Sequence, residues 1–474
     1  MQDFRMRLDL EEPIGSKYAS TADLREAIVT ISKHTQDRKA EGQWARNLRF
    51  LTPIENVALL ESWSSCRDQE LAQRERPQTQ DDENLDGPAC SCSPYQWVFV
   101  PSDRSIFLTQ PPDFPDCTHY LAVSYCWQSS EKSAHAWVKD GNEPAPFSIL
   151  EPGKVSRPPR SPSSLLARCT AYAASKGLSS IWIDQECIIQ DDPKDKALAI
   201  QAMDEVYDQA EECVAVLEVC FEEQRHLDAI EILIENDSNR LCNEDGTRDV
   251  CKALRLILSD PWFERAWCLQ ESTAGGTQMA LLIRCDPRLK IPDCFSIGVY
   301  GCFEIQLSWL HTVIGCLEWF DAPDAKPLGA DTAELARTVA GMWYDCMPQE
   351  SNEERGAVSF GGRTICDAAE ALYYLNRRHN SVIADRLDIL ANMCGYEVRL
   401  DALALDAQGF DFSICAVVLA ILNGDFSINH GCADLAATGV GGRKFVSWHQ
   451  PLGHTTAPDA HELPFTWWSL LAAS

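Results

Sequence analysis

The chain of 474 residues is 45% hydrophobic and 24% charged, and 71 acidic against 41 basic residues give it a formal net charge of −30. That length supports two or three domains, each with a sizeable core. A surface this acidic repels phosphate backbones and anionic lipid, so neither nucleic acid nor a membrane surface is expected as a partner.

The opening stretch "MQDFRMRLDLEEPIGSKYAS" lacks the apolar core of a signal peptide. The longest strongly apolar run, Ile414 to Leu422, is far too short to span a bilayer. Both point to a cytoplasmic protein. The 21 cysteines contain no C-x-x-C pair, the nearest spacing being Cys90-Ser91-Cys92. In a chain of this size they read as scattered reduced thiols rather than a disulfide framework.

In chain order, helical stretches at Thr21–His34 and Pro53–Trp63 give residues 1–64 the character of an N-terminal helical arm. Residues 65–94, "SCRDQELAQRERPQTQDDENLDGPACSCSP", are polar and irregular, bury little surface, and read as a linker or long loop. An α/β alternation then fills 95–290. "YQWVFV" (95–100) and "HYLAVSYCW" (119–127) read as strands. A Pro/Ser-rich insertion (143–162) leads to a helix from Ser163 to Lys176 that Gly177 stops. "SIWID" (180–184) is a third strand, and Asp191-Asp192-Pro193 opens a helix with the stripe Ile200, Met203, Tyr207, Ala210. "CVAVLEV" (213–219) and "QMALLIRC" (278–285) are further strands, separated by a helix over "SDPWFERAWCLQES" (259–272) that Asp260-Pro261 starts. Near-continuous apolar strands between helices predict a mainly parallel sheet with helices on both faces. Residues 291–474 read as a mainly helical C-terminal region, periodic near 330–347 and 364–394.

Ligands of such sheets sit at the carboxyl ends of the strands, where Ser124, Tyr125 and Asp184 fall. Other chemistries lack their motifs: there is no phosphate-binding G-x-x-x-x-G-K-[ST], no G-x-S-x-G elbow and no H-E-x-x-H helix. "TGVGGR" (438–443) lacks a strand–helix context, and the loose cluster His449, His454, His461 lacks metal-ligand spacing.

Three segments stand together: "YLAVSYCW" (120–127), "IWIDQECIIQDDPKDKALAIQAMDEVYDQA" (181–210) and "WFERAWCLQE" (262–271). In order and spacing they resemble the three sequence blocks of the fungal heterokaryon-incompatibility (HET) domain, with a departure at Gln128, where many members carry glycine. "NSVIADRLDILANMCGYEVRL" (380–400) also resembles the segment that follows this domain in many fungal members. The resemblance implies a role in allorecognition, in which fusion of unlike cells triggers programmed death. The HET domain is itself distantly similar to Toll-receptor-like (TIR) domains, which implies a flavodoxin-like fold. Some TIR domains hydrolyse NAD with a glutamate in the helical pattern W-C-x-x-E. Trp267-Cys268-Leu269-Gln270-Glu271 reproduces that pattern, and Val123-Ser124-Tyr125 resembles the end of the first TIR strand.

On this resemblance Glu271 is the catalytic candidate, Ser124, Tyr125, Trp127, Asp184, Arg265 and Trp267 are candidate binding residues, and no metal is expected. NAD enters as substrate rather than cofactor. Trp267 and Glu271, four residues apart, share a helix face. Arg265 has three open roles: binding a phosphate, or pairing with Asp184 or with Glu264. Trp262 and Phe263 read as core. Asp184 also serves as a brace for the loop "QECIIQ", and Asp191 and Asp192 as helix-start residues. Ser124, Asp184 and Glu271 are expected to converge on one crevice. The implied partners are other incompatibility proteins and further copies of the chain. A non-enzymatic interaction module on the same fold is the rival reading, and a regulatory pseudo-domain is a third.

Overall fold

The computed structural model describes residues 6–9, 17–53, 104–110, 118–127, 146–235, 244–276, 279–299, 301–310 and 366–429. The expected polar linker (65–94), the strand 95–100, the periodic run 330–347, the glycine-rich 438–443 and the histidines beyond 448 lie outside these residues, as does the expected helix after Pro53. Pro53 itself closes a short strand.

In chain order the elements are α1 (Thr21–Ser32), β1 (Thr35–Asp37), α2 (Lys39–Ala45), β2 (Leu51–Pro53), β3 (Ser105–Leu108), β4 (Leu121–Ser124) and β5 (Ser148–Leu150). Then come α3 (Ser163–Lys176), β6 (Ile181–Trp182), α4 (Asp184–Cys187), α5 (Pro193–Gln201), α6 (Met203–Asp208), β7 (Glu212–Phe221), α7 (Gln224–Ile234) and α8 (Glu244–Leu258). A 3₁₀ turn (Pro261–Glu264) precedes α9 (Ala266–Gly275), β8 (Met279–Cys285), β9 (Ser296–Val299) and β10 (Cys302–Gln306). The last described elements are α10 (Ala368–Leu375), α11 (Asp385–Met393), β11 (Val398–Leu400), α12 (Ala402–Gln408) and α13 (Phe412–Leu422).

The described residues form two compact units, one built from residues 6–9, 17–38 and 366–429, the other from residues 39–53 and those described between 104 and 310. In the first, β1 pairs antiparallel with β11, Thr35 opposite Leu400. Segment 380–400 supplies α11 and β11 here. Its Arg386 is buried and donates from Nη1 to the Leu375 carbonyl at 2.8 Å and from Nη2 to that of Arg378. A guanidinium thus caps the carbonyl end of α10, where helix carbonyls lack partners.

The second unit is built on a nine-stranded sheet of order β5-β3-β2-β6-β4-β7-β8-β10-β9. Its centre, β6-β4-β7-β8, is parallel throughout. Antiparallel pairings join β2 to β6 on one side and β10 to β8 on the other. The α/β class expected from the alternation is what the chain adopts. Parallel neighbours need long crossovers. The chain supplies them as α3 before β6, α4 to α6 before β7, and α7 to α9 before β8. Leu121–Ser124 and Met279–Ile283 are buried at every position, so both faces of the centre are covered.

Local signals explain the helix limits. Gly177, at φ 74°, ends α3 in the left-handed region that suits glycine. Asp192 caps α5 through the Lys194 and Asp195 amides, with Pro193 in the first turn. Trp182 and Tyr207 meet edge-to-face at 5.9 Å, as do Phe221 and Phe303 at 5.2 Å. Each buried ring of this kind contributes about 1.5–3 kcal/mol by burial. Among the described residues no helix is long and apolar enough to cross a membrane.

Candidate active site

The four central strands, numbered by their order in the chain, run second, first, third, fourth across the sheet. The order reverses at β4, the first of them, and Ser124 is its last residue. In sheets of this type such a reversal, at the carboxyl ends of the strands, is where ligands collect.

Three elements converge on Ser124. The first is the 3₁₀ turn. Asp260 Oδ1 accepts the Trp262 amide at 3.0 Å, while Oδ2 accepts the Glu218 and Val219 amides of β7 at 2.6 and 2.9 Å. One carboxylate therefore shapes the turn and pins it to β7. Trp262, fully buried, donates its indole N–H to Ser124 Oγ at 2.6 Å. The second element is α9, which begins after Arg265. That residue is extended (φ −88°, ψ 134°), so "WFERAWCLQE" is a turn and a helix rather than one helix. The Ser124 hydroxyl donates to Glu271 Oε2. Close packing of α9 depends on Gly275, where an added Cβ would lie 3.2 Å from Cys213 Sγ of β7. The third is α6, whose Tyr207 hydroxyl donates to the Val123 carbonyl at 3.0 Å.

Asp184 stands at the end of the neighbouring strand β6 and opens α4. It accepts the Trp127 indole N–H at 2.7 Å and the Gln185 amide at 2.7 Å, and its carbonyl accepts the Gln190 side-chain amide at 3.0 Å. The expected brace of the "QECIIQ" loop is present. Trp127 is 44% exposed, so its ring faces solvent while its N–H is tethered to a buried acid.

Electrostatics single out Glu271. It is 6% exposed. Burial and then the charge of Asp184 push its carboxyl up to about 8, against the Ser124 hydrogen bond, the charge of Arg265 and the Tyr207 hydroxyl. Asp184 is pushed up to about 6, chiefly by burial, against the bonds from Trp127 and Gln185. Buried carboxyls held toward their neutral form beside a second acid are typical of functional sites.

The structure brings Ser124, Asp184 and Glu271 into one cluster, with Trp127 at its exposed side. Arg265 is half-buried and acts on both acids by charge, but among the described residues neither Asp184 nor Glu264 forms an ion pair with it. Tyr125 is buried, and its hydroxyl has no hydrogen-bond partner among the described residues. Trp267 is half-buried and packs against the core. Sequence reasoning took Trp262 for core alone and missed Tyr207 as a neighbour of the acid. A buried indole N–H needs an acceptor, which was the available signal for Trp262.

Fold and site together define an α/β protein with an acid pair at the carboxyl ends of adjacent parallel strands. Residues 120–271 match the family model described as "Heterokaryon incompatibility protein (HET)". The match opens one residue before β4 and closes on Glu271. This segment is thus similar to HET domains, and heterokaryon incompatibility is the role that the family description carries. No curated protein and no solved structure matches the chain.

Proposed function

We propose that this is a cytoplasmic incompatibility protein whose HET domain executes or signals programmed cell death on self-association, by hydrolysing NAD at Glu271. The observation that carries the reading is the buried Glu271 carboxyl, bound to Ser124 at the strand-order reversal with no cation in an ion pair with it among the described residues. The second-first-third-fourth order is that of flavodoxin-like sheets, which supports the TIR-like reading of the domain.

In the reaction the bond between nicotinamide and ribose breaks. Its electron pair leaves with the nicotinamide nitrogen, and water adds to the cationic ribosyl carbon and gives up a proton. The Glu271 carboxylate stabilises the cationic centre, and the Ser124 hydroxyl holds that carboxylate in place. The positive nicotinamide ring, brought beside Glu271, favours its ionised form. Trp127 offers the exposed aromatic face against which a flat ring stacks. Arg265, which forms no ion pair among the described residues, is the group to meet a phosphate oxygen. Further copies of the chain or other incompatibility proteins supply the assembly that raises local concentration.

The test incubates concentrated protein with NAD and follows nicotinamide release, for the parent chain and for Glu271→Gln. Release that depends on Glu271 and rises when the domain is fused to an inducible oligomer supports the proposal. Cell killing that requires Glu271 while neither form turns over NAD assigns the domain to a non-enzymatic interaction role instead.

A further inference from the structure

A cavity of about 340 Å³ lies in the same unit and shares no residue with the Glu271 cluster. Trp44, Ile189 and Leu198 give it apolar walls, and Asn47, Arg49 and Asp195 give it polar ones. Its size is at the small end for metabolite sites.

Two features of the lining define what fits. Arg49 donates from Nε to the Cys187 carbonyl at 2.8 Å, but among the described residues its buried Nη2 has no acceptor and no carboxylate pairs with it. Buried donors of this kind are scarce in folded proteins. Asp195 Oδ1 accepts the Trp44 indole N–H at 2.8 Å, and Oδ2 accepts the Ile189 amide at 2.7 Å. Those two bonds orient the carboxylate and leave each oxygen capacity for one more donor. The cavity thus presents one cation and one anion beside an indole and two aliphatic side chains. An anionic ligand alone meets Asp195, and a cationic one alone meets Arg49. A ligand bearing both charges matches both.

We propose that this cavity binds a small zwitterion of the α-amino acid class with an apolar side chain, its carboxylate on Arg49, its ammonium on Asp195 and its side chain against Trp44 and Leu198. The proposal stands apart from the reading of Glu271.

Calorimetric titration of the full chain tests it, with L-leucine and L-phenylalanine as probes. L-Leucinamide, which lacks the carboxylate, and 4-methylpentanoate, which lacks the ammonium, are the controls. At least one amino acid should bind with a dissociation constant of about 1 mM or below, and about tenfold tighter than either leucine control. Leu198→Trp fills the cavity while keeping both charged groups, and should abolish binding. Arg49→Gln should remove the preference for leucine over leucinamide. Failure of both amino acids to bind, equal binding of leucine and its two controls, or binding that survives Leu198→Trp overturns the proposal.

Discussion

Two buried glutamates of the same unit, Glu186 in α4 and Glu271 in α9, are treated in opposite ways. Glu186 is fully buried and accepts from Arg157 Nη1 at 2.8 Å, from the amides of Arg160 and Ser161 at 2.6 and 2.7 Å, and from the Ser161 hydroxyl at 2.8 Å. The strap 157–161 is thereby fastened to the helix that begins with Asp184. Glu271 has the Ser124 hydroxyl and a second acid nearby, and its carboxyl is raised to about 8. Burial is common to both, so burial alone does not make a site. What distinguishes Glu271 is that hydroxyls alone bind it and, among the described residues, no cation forms an ion pair with it.

The sharpest way to break the comparison is to delete each side chain. Glu186→Ala removes the acceptor of the Arg160 and Ser161 amides and of the Ser161 hydroxyl, leaves Arg157 with Glu151 as its carboxylate, and should cost about 3 kcal/mol, the upper end of the scale for buried donors left unsatisfied. Denaturant unfolding of the full chain measures it. A loss below about 1 kcal/mol would mean that the strap is not fastened in solution.

Next in size is the effect on chemistry. Glu271→Gln keeps shape and hydrogen-bonding capacity but cannot ionise, so on the proposed mechanism NAD cleavage should fall by about 10²-fold or more while the variant stays folded and melts no lower than the parent. The kcat/KM of the parent should rise with pH to a plateau above about 8, since this ratio follows ionisation of the free protein. A parent rate in Glu271→Gln removes its charge from the mechanism.

Third is a pH effect on stability. The folded value of Glu271 lies above its ordinary 4.5, so its contribution is fully present below 4.5 and is lost as pH rises through about 8. Between those limits the parent should lose about 1 kcal/mol per pH unit relative to Glu271→Gln. Parallel stability curves for the two proteins would mean that the acid ionises as freely in the folded chain as in the unfolded one.

How far the sequence foretold this contrast depends on the reach of each signal. The helix Ser163–Lys176 and its stop at Gly177, the start at Asp192-Pro193 and the buried strand at 279–285 are local patterns, and they appear where expected. β2 is three residues with a proline, and β10 joins the sheet through a hairpin; neither carries a periodicity that marks it. The break at Arg265 is invisible in "WFERAWCLQE" because the residues on both sides suit a helix. It follows from Asp260 binding β7 amides more than 40 residues away. Family resemblance pointed to Glu271, and local spacing put Trp267 on its face. The indole bond from Trp262 to Ser124 spans 138 positions, and no local rule reaches that far.

The smallest expected effect concerns Asp184, which stands between the two glutamates in kind: raised to about 6 by burial, yet relieved by two donors. One of those donors, Trp127 Nε1 at 2.7 Å, belongs to a ring that is 44% exposed. Trp127→Phe keeps an aromatic face and removes only the N–H, so the ionised form of Asp184 loses a hydrogen bond and its midpoint should move upward. A net bond of about 0.5–1.5 kcal/mol corresponds to roughly half a unit to one unit. Carboxyl carbon NMR through a pH titration reads the shift directly. Near pH 8 Asp184 is largely ionised in both proteins, so its repulsion of Glu271 persists there and the Glu271 midpoint should stay near 8. An upward shift confined to Asp184 marks a tether acting on one acid. An unchanged Asp184 midpoint would show that the indole does not hold the acid in solution, and Trp127 would lose its anchored place beside the cluster.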